Sequence, residues 1–138
     1  MFFTDDKTIN LAFNIREEVF IKEQNVPKDL EIDGSDKYAK NMILTVDNKP
    51  IGTGRLIEID NKIYIGRVAI LKEYRKKGYA TKIINFLLDE AKNMGYKEVF
   101  IHSQLHAKEF YEKIGFKAFG EEFLEANIPH INMKIDFN

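Results

Sequence analysis

Residues 67–91 read RVAILKEYRKKGYATKIINFLLDEA: an apolar run, a basic cluster closed by glycine, then a long amphipathic repeat. In the repeat, Ala80, Ile83, Ile84, Leu87, Leu88, Ala91 and Met94 fall at steps of three and four. That spacing predicts a helix over 78–94 with one apolar stripe, and Gly95 stands where a left-handed cap ends helices. The preceding run, Val68 to Leu71, fits a buried strand. Between the two lies a site for an anion. The leading N–H groups of a helix have no partner inside it, and the helix dipole favours negative charge there. Gly78 removes the Cβ that would keep a ligand off the backbone. Ala80 is small, Thr81 adds a hydroxyl donor, and Arg75, Lys76 and Lys77 bring charge, a set suited to a pyrophosphate.

Working outward, "EVFIHS" (98–103) reads as a short strand. "HAKEFYEKIGF" (106–116) places Ala107, Phe110, Tyr111 and Ile114 on one helical face and closes with Gly115. "IPHINMKIDF" (128–137) alternates like a strand. Upstream, "NMILTV", "IGTGRLIEI" and "KIYIGRVAIL" are joined through Asp47-Asn48-Lys49-Pro50 and through Asp60-Asn61. Asp and Asn tolerate left-handed backbone, so the three strands predict an antiparallel meander. Near the start, Ile9, Ala12, Phe13, the stem of Arg16, Val19 and Phe20 predict a helix from about Thr8 to Lys22. "NVPKDLEIDGSDKYAK" then reads as a polar loop or a short helical turn. The order helix, strands, helix, strand, helix, strand predicts an α+β (mixed α/β) fold around one sheet, with residues 1–138 forming a single domain.

Composition narrows the chemistry. Lys plus Arg number 21 against 22 Asp plus Glu, a net charge of −1, so nothing draws the whole chain to nucleic acid. The absence of cysteine excludes disulfides, thiolate zinc sites and a cysteine nucleophile. His102 and His106 span a strand-to-helix junction, not one helical face, and no metal site is expected. "GTGRLI" at 52–57 begins like a dinucleotide fingerprint but lacks its third glycine and continues as a strand. The phosphate-loop pattern G-x-x-x-x-G-K-[ST] does not occur. No apolar run approaches the roughly 18 residues of a membrane span. "MFFTDDKTIN" carries acidic residues where a signal peptide needs basic ones, so the expected location is cytoplasmic.

"VAILKEYRKKGYATKIINFLLDEA" resembles motif A of the GCN5-related N-acetyltransferases (GNAT): an apolar strand, then [RQ]-x-x-G-x-[GA] opening a long helix. "QLHAKEFYEKIGF" resembles the family's next signature, a helix with a Tyr shortly before Gly-Phe. "REEVFIKEQNVPKDLEIDGSD" and "IPHINM" resemble the ElaA-like branch. The resemblance implies a central, mostly antiparallel sheet splayed at the cofactor site and flanked by helices. It also implies acetyl-CoA as donor and a primary amine as acceptor.

Carried onto this chain, the resemblance places the CoA pyrophosphate on the backbone of Arg75, Lys76, Lys77, Gly78, Tyr79, Ala80 and Thr81. Pantetheine pairs with the backbone of Val68, Ala69 and Ile70, whose strand supplies an N–H to the acetyl oxygen. Tyr111 is the candidate general acid, a phenol with an ordinary pKa of about 10 facing a departing thiolate. Gln104 stands where relatives often carry an Asn that touches the cofactor arm. Some relatives use a Glu as base before motif A, but Tyr64 holds about that position here. The titratable candidates for the base are Glu23, Glu58, His102 and His130. Of these, His130 follows Pro129 at the start of the final strand, and Glu23 is the base or acceptor contact from the first helix. Asp29, Glu31, Asp33 and Asp36 form an acidic loop that attracts an amine or polyamine if it rims the acceptor mouth. A small-molecule amine is favoured over protein, a homodimer is possible, and no nucleic-acid or membrane partner is expected. The alternative is an acyl-CoA-binding or sensing module with little catalysis.

Overall fold

The computed structural model describes residues 1–137. Seven strands form one sheet: β1 (Phe2–Phe3), β2 (Ala39–Val46), β3 (Lys49–Ile59), β4 (Lys62–Ile70), β5 (Glu98–Gln104), β6 (Lys117–Glu125) and β7 (Ile128–Asp136). Their order across the sheet is β1-β2-β3-β4-β5-β7-β6. Every neighbouring pair is antiparallel except β4 and β5. A parallel pair needs a crossover, and helix α3 (Tyr79–Asn93) supplies it. Helices α1 (Ile9–Arg16), α2 (Lys28–Glu31) and α4 (Lys108–Ile114) complete the layers.

The α3 stripe packs as its spacing predicts: Ile83, Ile84, Leu87, Leu88 and Ala91 are all buried. It lies directly on β3 because two glycines leave room. A Cβ on Gly52 would stand 2.9 Å from Ile83 Cδ1, and one on Gly54 3.0 Å from both Ile83 Cγ2 and Leu87 Cδ1. On the other face α1 brings Ala12 and Ile15 against Ile43 and Ala69, joined by Val19 beyond its end. With both faces covered, β3 from Ile51 to Ile57 is buried without alternation.

The first helix departs from the expected single span. After Arg16 the backbone widens into a π-helix over Glu17–Glu23, closed by Gln24 N–H donating to Val19 O at 3.2 Å. Such turns concentrate at functional sites. Two strands lie outside the expected order. β1 is two residues long, and β6 lines the sheet edge with most of its residues exposed. Its register breaks between Phe119 and Phe123, around Gly120 at φ 75°.

Candidate active site

β4 and β5 are registered at only two positions, Tyr64↔Phe100 and Ile65↔Ile101. Past Ile65 the strands part, while β4 keeps its ladder to β3 through Gly52↔Ile70. Leu71 N–H donates to Ile51 O on the β3 side, so the carbonyl of the same peptide, Ile70 O, points into the gap. One edge of β4 at Val68, Ala69 and Ile70 therefore has no strand partner, the requirement for an extended ligand to add as a further strand, although a side chain already occupies Ile70 O. β4 also bulges here. Thr53 pairs with Ala69 and Arg55 with Gly66, so Arg67 and Val68 together oppose Gly54.

At the far end of the gap the chain turns through Lys76 (φ 63°) and Gly78 (φ 82°) into α3. A Cβ at Gly78 would meet nothing within 4 Å, so the glycine answers the left-handed φ and leaves the approach to the helix open. The first amides of α3, Tyr79, Ala80 and Thr81, are those a helix cannot satisfy itself. Lys77 Nζ lies 5.8 Å from the Tyr74 ring centroid and Lys82 Nζ 5.6 Å from that of Tyr79. Arg75 is placed differently from its two lysine neighbours. Its Nε donates to Ile70 O at 2.9 Å, and its Nη1 and Nη2 grip the Glu23 carboxylate at 2.9 and 2.7 Å. That guanidinium fastens the end of the π-helix to β4.

Beside the gap lies a cleft of about 510 Å³. Tyr111 lines it from α4, buried between Phe110 and Phe116 at ring separations of 5.0 and 5.7 Å. Burial pushes its phenol up to about 12. Gln104, at the end of β5, also lines the cleft and donates to Gln24 Oε1 at 3.0 Å.

The opposite wall is a histidine–carboxylate cluster. Glu125 Oε1 lies 3.0 Å from His102 Nδ1, and Glu125 Oε2 lies 3.6 Å from His130 Nε2. His130 Nδ1 is 2.6 Å from Ile128 O. A carbonyl only accepts, so Nδ1 carries a proton and donates to Ile128 O, which leaves Nε2 on the side of Glu125. The hydrogen bond with His102 holds the Glu125 carboxyl below its ordinary range, against burial and with help from His130 and Arg67. Tyr64 meets His102 edge-on at 5.4 Å, and Phe123 stacks on His130 at 5.8 Å.

The acidic loop corrects the sequence reading in part. Glu31 and Asp36 are not free to attract a cation. Arg16, fully buried, donates from Nε to Glu31 Oε1 at 2.5 Å and from Nη1 to Asp36 Oδ1 at 2.7 Å. Arg55 Nη1 donates to Asp36 Oδ1 and to Ser35 Oγ, both at 3.0 Å. Burial works to raise Asp36, but the Arg16 hydrogen bond and the charges of Arg16 and Arg55 outweigh it and hold the carboxyl low. Arg16 occupies an apolar slot of the helical pattern because its partners lie 15 to 25 residues away in sequence.

The structure thus gathers His102, His130, Gln104, Tyr111 and Val68 around one cleft. Glu23 does not line it. Its carboxyl is held low chiefly by the Arg75 hydrogen bond. Glu58 accepts from the Tyr96 hydroxyl and likewise does not line the cleft. Glu125 was not anticipated, because it lies on β6; an isolated Glu ahead of Asn127 carries no signal until the hairpin sets it opposite His102 and His130. Among the described residues, no helix is long and apolar enough to cross a membrane.

Residues 4–137 match the family model for the acetyltransferase (GNAT) domain. The chain is 35% identical over 133 residues to the uncharacterized N-acetyltransferase YjcF of Bacillus subtilis, covering 96% of this chain and 95% of that one. Among solved structures it resembles an acyl-CoA N-acyltransferase from Pseudomonas aeruginosa, with TM-score 0.86, 28% identity, and 96% and 92% of the two chains covered. Escherichia coli ElaA shares the fold at TM-score 0.85 and 24% identity, over 96% and 93% of the chains. So does a GNAT acetyltransferase from Elizabethkingia anophelis with acetyl-CoA bound, at TM-score 0.72 and 19% identity, over 87% and 89%.

Proposed function

The chain belongs to the GNAT acetyltransferase family, and from that premise we propose that it passes an acetyl group from acetyl-CoA directly to the primary amine of a small acceptor. The observation that carries this reading is the gap between β4 and β5, which runs from the amino end of α3 into the cleft lined by Tyr111, His102 and His130. The residues fit the co-substrate. Lys76, Lys77 and the amides of Gly78, Tyr79, Ala80 and Thr81 would hold the pyrophosphate, with Arg75 bracing that loop through Glu23. The free edge of Val68, Ala69 and Ile70 would take pantetheine, with Gln104 on the opposite lip.

In the transfer, the amine lone pair forms the C–N bond, the C–S bond breaks, and the electron pair leaves on sulfur. Backbone N–H of the β4 bulge stabilises the negative charge that builds on the acetyl oxygen. Tyr111 donates a hydrogen bond to the departing sulfur, and the thiolate collects the second proton, shed by the nitrogen once the C–N bond has formed. His130, its lone pair at Nε2, takes the proton from the incoming ammonium, and Glu125 stabilises the imidazolium. His102 presents its second nitrogen from the same cluster and is the second candidate for this step.

The acceptor is a monoamine with an apolar body. With Glu31 and Asp36 tied to arginines, and Asp33 turned to the Ser35 hydroxyl and Arg67, Glu125 is the carboxylate left to meet an ammonium inside the cleft. Around it stand Phe20, Val26, Ile57, Ile59 and Ile128. A volume of about 510 Å³ that must also admit the thioester end of the donor favours a small molecule over a peptide. The test is release of free CoA thiol across an n-alkylamine series. Burying each methylene contributes about 0.8 kcal/mol, so kcat/KM rises about fourfold per carbon until the cleft is full. Spermidine or lysine-bearing peptides turned over faster than hexylamine would refute the acceptor assignment. Calorimetric binding of acetyl-CoA with no turnover on any amine would instead make the chain an acyl-CoA-binding module.

A further inference from the structure

Arg67 sits where a side chain is least welcome. Several residues other than glycine have positive φ, among them Asp47, Asn48, Asp60, Asn61, Ala126 and Asn127, all in hairpin turns. Arg67, at φ 51°, stands inside a strand, at the left-handed position of the β4 bulge where glycine is the usual occupant. The chain holds a glycine one residue earlier, Gly66, whose added Cβ would meet nothing within 4 Å. The bulge therefore keeps an arginine against the backbone preference, which calls for a use of its side chain.

That use is visible in its contacts. Arg67 Nη2 donates to Leu30 O and Glu31 O, both at 3.2 Å, capping the last carbonyls of α2 with a cation. Its Nε lies 3.3 Å from Glu31 Oε1, the oxygen that Arg16 also holds, and its Nη2 lies 4.0 Å from Asp33 Oδ2. Leu30, Glu31 and Asp33 of the acidic loop line the cleft, and so do Gly66, Arg67 and Val68 of β4. One guanidinium thus ties the acidic loop to the stretch of β4 that has lost its β5 partner.

We propose that Arg67 is a positioning residue for acetyl transfer: it fixes the β4 bulge, and with it the amides that polarise the acetyl carbonyl, against the loop that carries the acceptor. This rests on the transfer reading above. It implies that Arg67 acts on turnover more than on donor affinity, because pyrophosphate binding is supplied at the other end of the gap.

The decisive variant is Arg67→Gly, which accepts the left-handed backbone and deletes only the tether. Misplacing a reacting group by about 1 Å costs up to about 100-fold, so kcat should fall by about 10- to 100-fold while the calorimetric Kd for acetyl-CoA changes by less than about threefold. Arg67→Lys, which keeps the charge and one donor direction, should recover part of the loss. A purely structural role would lower Tm in Arg67→Gly and leave kcat below that Tm unchanged, and that result overturns the proposal. If Arg67→Gly does not fold, Arg67→Lys carries the test, and wild-type kcat there overturns it. Amide hydrogen exchange at Val68 and Ala69 in the donor-free protein supplies a readout independent of turnover. Faster exchange in Arg67→Gly is expected, and unchanged exchange overturns the proposal. If wild-type protein acetylates no amine, the transfer reading fails by itself while the exchange measurement still decides the positioning.

Discussion

Replacing Tyr111 with Phe removes one hydroxyl and keeps the ring that packs against Phe110 and Phe116, so the fold should persist. The size of the kinetic effect follows from burial. With the phenol at about 12 and a thiol at about 8.5, complete proton transfer to the leaving sulfur is uphill by about 3.5 units, or about 5 kcal/mol. On the proposed mechanism the phenol would therefore act as a hydrogen-bond donor to the developing thiolate and would not become a free phenolate. A hydrogen bond to a charged partner contributes about 1.5–3 kcal/mol, so kcat in Tyr111→Phe should fall by about 10- to 150-fold with donor affinity nearly unchanged. Burial also makes a second claim. Below pH 10 the phenol is protonated folded or unfolded. As pH rises from about 10 to about 12 the unfolded chain releases this proton first and the native state is penalised. Wild type should lose about 3 kcal/mol of stability across that window that Tyr111→Phe keeps. The assays are CoA-thiol release between pH 6 and 9 and urea unfolding at pH 9 and 11. Wild-type kcat in Tyr111→Phe throughout that range refutes the sulfur assignment, and parallel stability losses in the two proteins refute the burial argument.

Three further outcomes follow from the geometry. Arg16→Met leaves buried Glu31 to Arg67 alone and Asp36 to Arg55 alone, and should destabilise the protein by up to about 3–5 kcal/mol in urea. Because Asp36 is held low in the folded state, its contribution is present above the ordinary carboxylate range and lost as pH falls through its folded value. The variant should show a flatter acid limb of stability than wild type. Gly78→Ala forces a Cβ onto φ 82° and should cost about 1–2 kcal/mol while weakening acetyl-CoA binding in calorimetry. Glu125→Gln removes the negative charge shared by His102 and His130 and should lower kcat/KM by about 100-fold or more, the usual size of a general-base contribution. Pairing that variant with His130→Asn and with His102→Gln identifies the histidine that carries the proton, since the true base adds no further loss when combined with Glu125→Gln.

The elements legible from sequence were those whose signal is local. The α3 stripe, Gly78 at its start and Gly95 after its end lie within one stretch, and the structure realises them except at Met94, which lies past the last helical residue and is exposed. The meander was legible because Asp47-Asn48 and Asp60-Asn61 adopt the left-handed turns their side chains favour. What escaped depends on distant partners. β6 shows no alternation because it is an exposed edge strand broken at Gly120, so its pattern resembles a loop. With β6 unseen, Glu125 had no neighbours. Arg16 reads as an apolar stem because Glu31 and Asp36 are distant in sequence, and Glu31 and Asp36 read as free to attract an amine for the same reason.

The position of the gap has a physical origin in the loyalties of the strands beside it. β4 keeps its antiparallel ladder to β3 as far as Ile70, and β5 keeps its ladder to β7 from Glu98↔Asp136 to Gln104↔His130. Their shared parallel junction holds for two pairs only. Parallel pairing is slightly weaker per residue, so when each strand follows the twist of its antiparallel neighbour, this seam is the one that opens. The bulge at Arg67–Val68 increases the local twist of β4 just past the last shared pair, at Ile65↔Ile101. Opening there exposes Val68, Ala69 and Ile70 on one lip and carries Gln104, with His130 registered opposite it, to the other. The edge proposed for the donor and the wall proposed to handle the proton are therefore consequences of one break in pairing. Straightening the bulge by deleting Arg67 should extend the β4–β5 ladder, slow amide exchange at Val68 and Ala69, and abolish acetyl-CoA binding. A deletion variant that kept full donor affinity would show that the gap does not depend on the bulge.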